Sequence, residues 1–211
     1  MKLYGYWRSS AAYRIRIALN VKGLRYENIP VHLVRDGGLQ FSREYLSLNP
    51  QGRVPTLIDG DLTLGQSLAI LEYLEEEYPA PPLLPADPAG RARARQIALA
   101  IACDIHPLNN LRVLQFLEHT LGLPQESRDA WYRHWIRDGL TAVEKLVSAY
   151  GPYCLGDQLT FGDVTLSPQL YNAHRFSVPL DDCLRLRAIE QHCLKLPAFD
   201  NARPEKQPDA A

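Results

Sequence analysis

Trp7-Arg8-Ser9-Ser10-Ala11-Ala12-Tyr13-Arg14-Ile15-Arg16-Ile17-Ala18-Leu19 decides how the first part of this chain folds. A short strand, Lys2 to Tyr6, runs into the two hydroxyls. A helix then begins, with Ile15, Ala18, Leu19 and Val21 along one side. This spacing predicts a helix over 11–22. Ser10 is the predicted N-cap, because a serine oxygen accepts a bond from an early backbone N–H. A helix start attracts anions through its dipole and its unpaired N–H groups. A hydroxyl donor beside Arg8 suits a thiolate or a carboxylate there. Taken alone, the stretch is first of all a capped helix in an α/β domain.

Working outward, strands are predicted at 26–32, 56–59 and 62–64. The last two are joined by Gly60-Asp61, a strong hairpin signal. A short helix is expected over 40–46 and a longer one over 67–77. In the latter, Leu68, Leu71, Tyr73 and Leu74 oppose Glu72, Glu75 and Glu76. The order is β-α-β-α-β-β-α. Pro79, Pro81, Pro82, Pro85 and Pro88 then break regular structure and read as a semi-rigid linker. The remainder looks helical. The first helix is expected over 91–120, kinked or split at Pro107. Others are expected over 130–149, over 161–175 with a bend near Pro168, and over 183–194. Thr160-Phe161-Gly162-Asp163 has the form of a capping box. The last dozen residues are expected to be a docked tail or frayed. The predicted division is an α/β domain over 1–82 and an all-helical domain over 88–211. A cleft between two such domains is the default place for a ligand.

The chain has 211 residues, 46% hydrophobic and 22% charged, which is ordinary for a globular protein. A net charge of −1 gives no broad pull toward nucleic acid or membrane, so neither is expected as a partner. With no apolar run of 18 residues and no signal peptide, a cytoplasmic location is expected. Cys103, Cys154, Cys183 and Cys193 are scattered and have no zinc spacing. Reduced, buried thiols are expected for all four, and no metal site is expected.

Four features converge if the first domain is thioredoxin-like. The hydroxyl pair Ser9-Ser10 opens the first helix. Val54-Pro55 opens a strand, where a cis bond would expose the Val54 backbone to an extended ligand. Gln66-Ser67 places side-chain donors at a second helix start, suited to a carboxylate. Finally, Ala11 stands where a redox thiol could have been. Such a site binds a thiol peptide without bringing its own nucleophile.

These residues resemble the zeta class of glutathione transferases, the family of maleylacetoacetate isomerases. The resemblance runs through Arg8-Ser9-Ser10, Arg14 to Leu19, Lys22 to Glu27, Asp36-Gly37-Gly38, Leu48-Asn49-Pro50, Val54 to Leu57, and Gln66 to Ile70. It continues through Leu83-Leu84-Pro85, His106 to Asn110, and Asn172 to Phe176. Each motif is weak alone; in this order they are specific. Two positions depart from the family pattern. Its first-helix motif usually reads Ser-Ser-Cys, where this chain has Ala11, and Gly162 replaces an alanine common in the helical capping motif.

The resemblance implies a glutathione transferase fold, with a thioredoxin-like N-terminal domain and a C-terminal helical domain. It implies glutathione as cofactor, a homodimer, and isomerisation of a small dicarboxylate oxo-acid. Maleylacetoacetate, from tyrosine breakdown, is the first substrate; maleylpyruvate, or conjugation of α-haloacids and other electrophiles, is the alternative. By the same resemblance, Gln66 and Ser67 would hold the γ-glutamyl end and Val54 the cysteinyl backbone. Gln40, His106 and Asn110 would touch other parts of glutathione. Ser9 and Ser10 would lie near the sulfur, with Ser9 preferred as its donor. Arg8 and Arg175 would meet the substrate carboxylates, which the guanidinium fork suits. Arg14 and Arg16 are read as fold-stabilising.

Overall fold

Gly5 can approach a helix closely because it has no side chain, and the first layer contact depends on this. A Cβ on Gly5 would lie 3.2 Å from the Cβ of Ala12. Gly5 ends β1 (Lys2–Gly5), and Ala12 lies in the first turn of α1 (Ser10–Val21). The computed structural model describes residues 1–210. β1 pairs in parallel with β2 (Glu27–Pro30), with Leu3 opposite Asn28. A parallel pair needs a crossover, which α1 supplies. β3 (Thr56–Asp59) runs antiparallel to β1, and β4 (Leu62–Gly65) antiparallel to β3. The four-stranded sheet has the order β2-β1-β3-β4, and this unit is the thioredoxin-like domain.

The predicted element order holds, with one local difference. The expected helix over 40–46 is a 3-10 turn, Leu39–Phe41, followed by α2 (Arg43–Leu48). Ser42 separates them: its Oγ accepts from the Tyr45 N–H at 3.2 Å and so starts a new helix. α3 (Ser67–Glu77) packs on α1. The proline-rich stretch is tied down at its start. Lys22 Nζ donates to Glu75 Oε2 at 2.9 Å and to the carbonyls of Tyr78 and Pro81, and Glu75 accepts from the Leu83 N–H. Both Val54-Pro55 and Ala80-Pro81 are cis.

The second compact unit spans Leu84–Cys193. It begins with α4 (Pro88–Leu99), capped by Asp87, whose Oδ1 accepts from Gly90 N–H at 2.8 Å. The helix expected over 91–120 is split at Pro107, one of the two readings the sequence offered. A π-helical segment, Ala100–Ile105, leads into the turn at Pro107, and α5 (Leu111–His119) starts afresh with Asn110 as its cap. Pro107 lacks the N–H that would continue the ladder, so a break there follows. α6 (Gln125–Leu146), α7 (Phe161–Arg175) and α8 (Leu184–Cys193) complete the unit. α7 is buried from Phe161 to Leu170. Its capping box is present. Asp163 accepts from the Thr160 N–H at 2.8 Å and from the Cys154 N–H at 2.7 Å. A Cβ on Gly162 would come within 3.1 Å of Cys154 Cβ and 3.3 Å of Ile97 Cγ2, so glycine permits this close packing.

The C-terminal end differs from the expected division at 88–211. Residues 194–210 belong to one compact unit with Met1–Leu83. They form α9 (Pro197–Asp200) and a 3-10 turn at Pro204–Lys206. Side chains of α1 hold them: Arg16 Nε donates to the Ala202 carbonyl and Asn20 Nδ2 to the Ala198 carbonyl, each at 3.0 Å. Packing of α9 on one side of α1 and of α3 on another explains why α1 is buried on more sides than its apolar stripe implies, with Arg16 reaching the Ala202 carbonyl and Arg14 reaching Ser67. The cysteine expectation holds for Cys154, Cys183 and Cys193; Cys103, on the π-helical segment, is exposed.

Asp163 is fully buried and satisfies two backbone donors that have no water to turn to. Asp163→Ala removes a cap and strands those donors, at a cost of about 2–4 kcal/mol. Urea unfolding should show a lowered midpoint with an unchanged slope.

Candidate functional site

Ser9, not Ser10, caps α1. Its Oγ accepts from the Ala12 N–H at 3.2 Å, and its extended backbone (φ −69, ψ 118) turns the chain into the helix. Ser10 is the first helical residue and is buried. The difference is a shift of one position, which propensity alone cannot resolve, since serine suits either. Capping uses a lone pair of the Ser9 oxygen, and the hydroxyl proton remains a donor. Arg8 is half-buried, with its guanidinium 5.2 Å from the centre of the Trp7 ring.

Gln66 has φ +65 and ψ 113, a backbone conformation that side chains other than glycine rarely adopt. It immediately precedes α3, and such strain clusters at functional sites. Its Nε2 donates to Gln51 Oε1 at 2.8 Å. The adjacent Ser67 is buried, and its Oγ accepts from Arg14 Nη1 at 3.1 Å. Arg14 thus ties the start of α3 to α1. Gln40 is buried; its Nε2 donates to the Leu33 carbonyl at 3.3 Å, while its Oε1 has no partner among the described residues. Gly38 has φ +103, and a Cβ there would strike the Gln40 side chain at 2.5 Å. The Gln40 carbonyl and the Phe41 ring lie against Gly52, two residues before Val54. The ladder of β3 begins at Thr56, past Pro55, and leaves Val54 outside the strand. Within this unit an arc therefore runs from Gln40 past Gly52 to Val54, and from Gln51 through Gln66 and Ser67 to α1. It offers donors at two helix starts, a strand-edge backbone and a buried amide oxygen as acceptor, a set of groups that fits an extended peptide with a carboxylate and a thiol.

In the helical unit, His106 closes the π-helical segment, its N–H donating to the Ile101 carbonyl at 2.9 Å. Asn110 caps α5, accepting from the Arg112 N–H at 3.2 Å, so its amide NH2 remains a donor. Arg175 lies exposed in the last turn of α7, its guanidinium 5.0 Å from the centre of the Phe176 ring. Consecutive residues of α6 hold both places. Trp131 Nε1 donates to the Leu108 carbonyl at 2.8 Å, the Tyr132 ring stacks on Phe176 at 3.6 Å, and Arg133 Nε donates to the Phe176 carbonyl at 2.9 Å.

Sequence reasoning did not give roles at the site to Arg14 or to the α6 trio. Arginines in a helix otherwise buried were the available signal for Arg14. For Trp131, Tyr132 and Arg133 the sequence carries none, because their partners, two main-chain carbonyls and the Phe176 ring, are distant in the chain.

Residues 1–76 match the N-terminal domain family of the glutathione S-transferases, which sets the class of the fold. Over nearly its full length the chain is similar to the maleylacetoacetate isomerase of Pseudomonas aeruginosa, with 50% identity covering 99% of this chain and 98% of that one. Among solved structures it is similar to the holo form of a maleylpyruvate isomerase, a bacterial zeta-class glutathione S-transferase. There the TM-score is 0.96 at 45% identity, covering 100% of both chains. It is also similar to a maleylacetoacetate isomerase from Methylobacterium extorquens AM1 solved with malonate and GSH, with a TM-score of 0.95 at 42% identity and 100% coverage of both. The chain belongs to the zeta-class glutathione transferases, the family of the maleylacetoacetate and maleylpyruvate isomerases.

Gln66→Gly relieves the positive φ. The folded chain should gain about 0.5–1 kcal/mol, seen as a higher unfolding temperature, while affinity for a ligand that Gln66 contacts falls.

Proposed function

We propose that this chain is a glutathione-dependent cis–trans isomerase of maleylacetoacetate, with maleylpyruvate as the alternative substrate. The observation that carries the reading is the pair of helix starts in one unit, Ser9 on α1 and the strained Gln66 on α3, linked by Arg14 and Ser67. Glutathione held there would supply a thiolate for reversible addition to the cis double bond, which is the chemistry that cis–trans isomerisation needs.

The residues of this chain bind, orient and ionise. Gln66 and Ser67 hold the γ-glutamyl end, and the Val54 main chain pairs with the cysteinyl part. Gln40, His106 and Asn110 contact the rest. Ser9 donates its hydroxyl proton to the sulfur, and Ser10 lies beside it. A free cysteine thiol has a pKa of about 8.5, and lowering it by two units takes about 2.7 kcal/mol. A helix start supplies ~0.3–2 kcal/mol. A hydrogen bond to a charged group supplies about 1.5–3 kcal/mol. The two together suffice without a dedicated base. Arg8 and Arg175 hold the substrate carboxylates and the charge that develops on the oxo-acid.

The proposal extends to a homodimer in the cytoplasm, with a place in aromatic amino-acid breakdown. Family membership supports it, as do the exposed Val34 and Phe41 on the segment after β2, which suit a covered surface. The domain reading is an α/β glutathione domain over 1–82 followed by a helical domain over 88–211, with residues 194–210 docked back on the first.

The deciding experiment follows loss of each cis-oxo-acid with and without glutathione. Turnover should require glutathione and should not consume it. Equal rates without it, or a stable conjugate accumulating, would sink the reading. Arg8→Ala and Arg175→Ala should each lower kcat/KM roughly 10- to 100-fold. Ser9→Ala should cost more rate than Ser10→Ala.

A further inference from the structure

Trp7 immediately precedes Arg8-Ser9-Ser10, and its main chain is held on both sides by groups distant in sequence. Its N–H donates to Asp209 Oδ2 at 2.9 Å. Its carbonyl accepts from Arg16 Nη2 at 2.9 Å. The same guanidinium reaches the Tyr6 carbonyl through Nη1 at 3.5 Å and the Ala202 carbonyl through Nε at 3.0 Å. The Tyr6 carbonyl also accepts from the Ser9 N–H at 2.9 Å. Arg16 is buried, and the Tyr13 ring lies 5.3 Å from its charge. Two consecutive peptide groups leading into the serine turn are thereby fixed from behind. The contacts come from α1 and from residues 202–209, all within one compact unit.

We propose that the C-terminal segment 202–209 is a positioning element of the thiol site: Asp209 and Arg16 hold the Trp7 main chain and so set where the Ser9 hydroxyl points. Neither residue touches the sulfur. The inference rests on the reading of Ser9 as the donor to glutathione. A hydroxyl displaced by a fraction of an ångström loses much of its bond to a thiolate, since hydrogen bonds weaken steeply with poor geometry. Asp209 is the better handle of the two. It is half-buried near the end of the described chain, whereas a substitution at Arg16 would leave buried carbonyls without a donor.

The sign of the effect separates positioning from simple electrostatics. A carboxylate near a thiolate disfavours ionisation, so removal of its charge alone would lower the thiol pKa. Loss of positioning raises it. The test measures the pKa of bound glutathione from the ultraviolet absorbance of its thiolate in wild type, Asp209→Ala and Asp209→Asn, with unfolding temperatures alongside. Asp209→Ala should raise that pKa by about one unit. Asp209→Asn keeps an oxygen acceptor for the Trp7 N–H and should restore most of the wild-type value. An unchanged or lowered pKa in Asp209→Ala overturns the proposal, as does an Asn variant as impaired as the Ala one. Hydrogen exchange at the Trp7 amide of the wild-type chain adds a check that needs no variant: slow exchange is expected, and exchange at the rate of an open loop overturns the proposal. If wild type binds no glutathione, the functional reading fails; if it binds and ionises glutathione but Asp209→Ala matches it, only this inference fails.

Discussion

The first turn of α1 is the constraint on which the rest of this unit depends. A helix start has more N–H donors than one side-chain oxygen can accept, and Ser9 takes only that of Ala12. The same end carries the positive pole of the helix dipole. Such a terminus can be buried only if something anionic or polar comes to it, and can bind an anion tightly only if it is rigid. Rigidity comes from the core. Gly5 lets β1 approach Ala12, Arg14 ties the helix to Ser67, and Arg16 ties it to the Tyr6 and Trp7 carbonyls. The guanidiniums in the core of the first unit therefore do structural work that has a chemical result.

Buried charge is costly, and Arg16 shows how far the fold goes to accommodate it. Desolvation lowers its pKa to about 10, still well above neutrality, so it stays charged. Its polar atoms meet carbonyls of β1's exit and of the docked tail. An uncharged side chain of similar size could fill the space but could not donate to three carbonyls in a fixed planar pattern. Lys22 plays a comparable part at the far end of α1, gathering Glu75 and two carbonyls of the proline-rich stretch. α1 is thus anchored at both ends by cations that its apolar stripe does not announce.

That contrast explains how much of the molecule was legible in the sequence. Local signals gave the strands, the Gly60-Asp61 hairpin, the helix over 67–77 and the Thr160–Asp163 box, because each depends on residues a few positions apart. Ser9 and Gln66 were legible as candidate donors from their places at helix starts, and the family resemblance added the roles proposed for them. The strain at Gln66 could not be read, since φ is set by how α3 packs. The π-helical segment at Ala100–Ile105 was also not legible, and for the tail the sequence offered docking or fraying without saying which, or which unit residues 194–210 join. Both are decided by contacts across long stretches of chain: a Cβ on Gly139 would meet Ile105 at 2.3 Å, and Trp7 and Asp209 are 202 positions apart.

Three of the chain's four thiols are buried, which suits the chemistry proposed for the site, while Cys103 is exposed. A reversible thiolate addition works only if the added sulfur can leave, and a second nucleophile in the same place would compete for the double bond. Ala11, two positions after Ser9, brings no thiol of its own to this turn. Burial pushes the Cys154 thiol well up, with the buried carboxylate of Asp163 acting the same way, and burial raises Cys193 too. Burial also raises Cys183. Since the thiolate is the reactive form, these side chains act as small hydrophobes. Under the proposed chemistry, the protein's part at the sulfur is to supply a hydroxyl proton and a helix dipole. Both favour the charged form of a thiol that arrives from outside, and neither forms a covalent bond that would trap it.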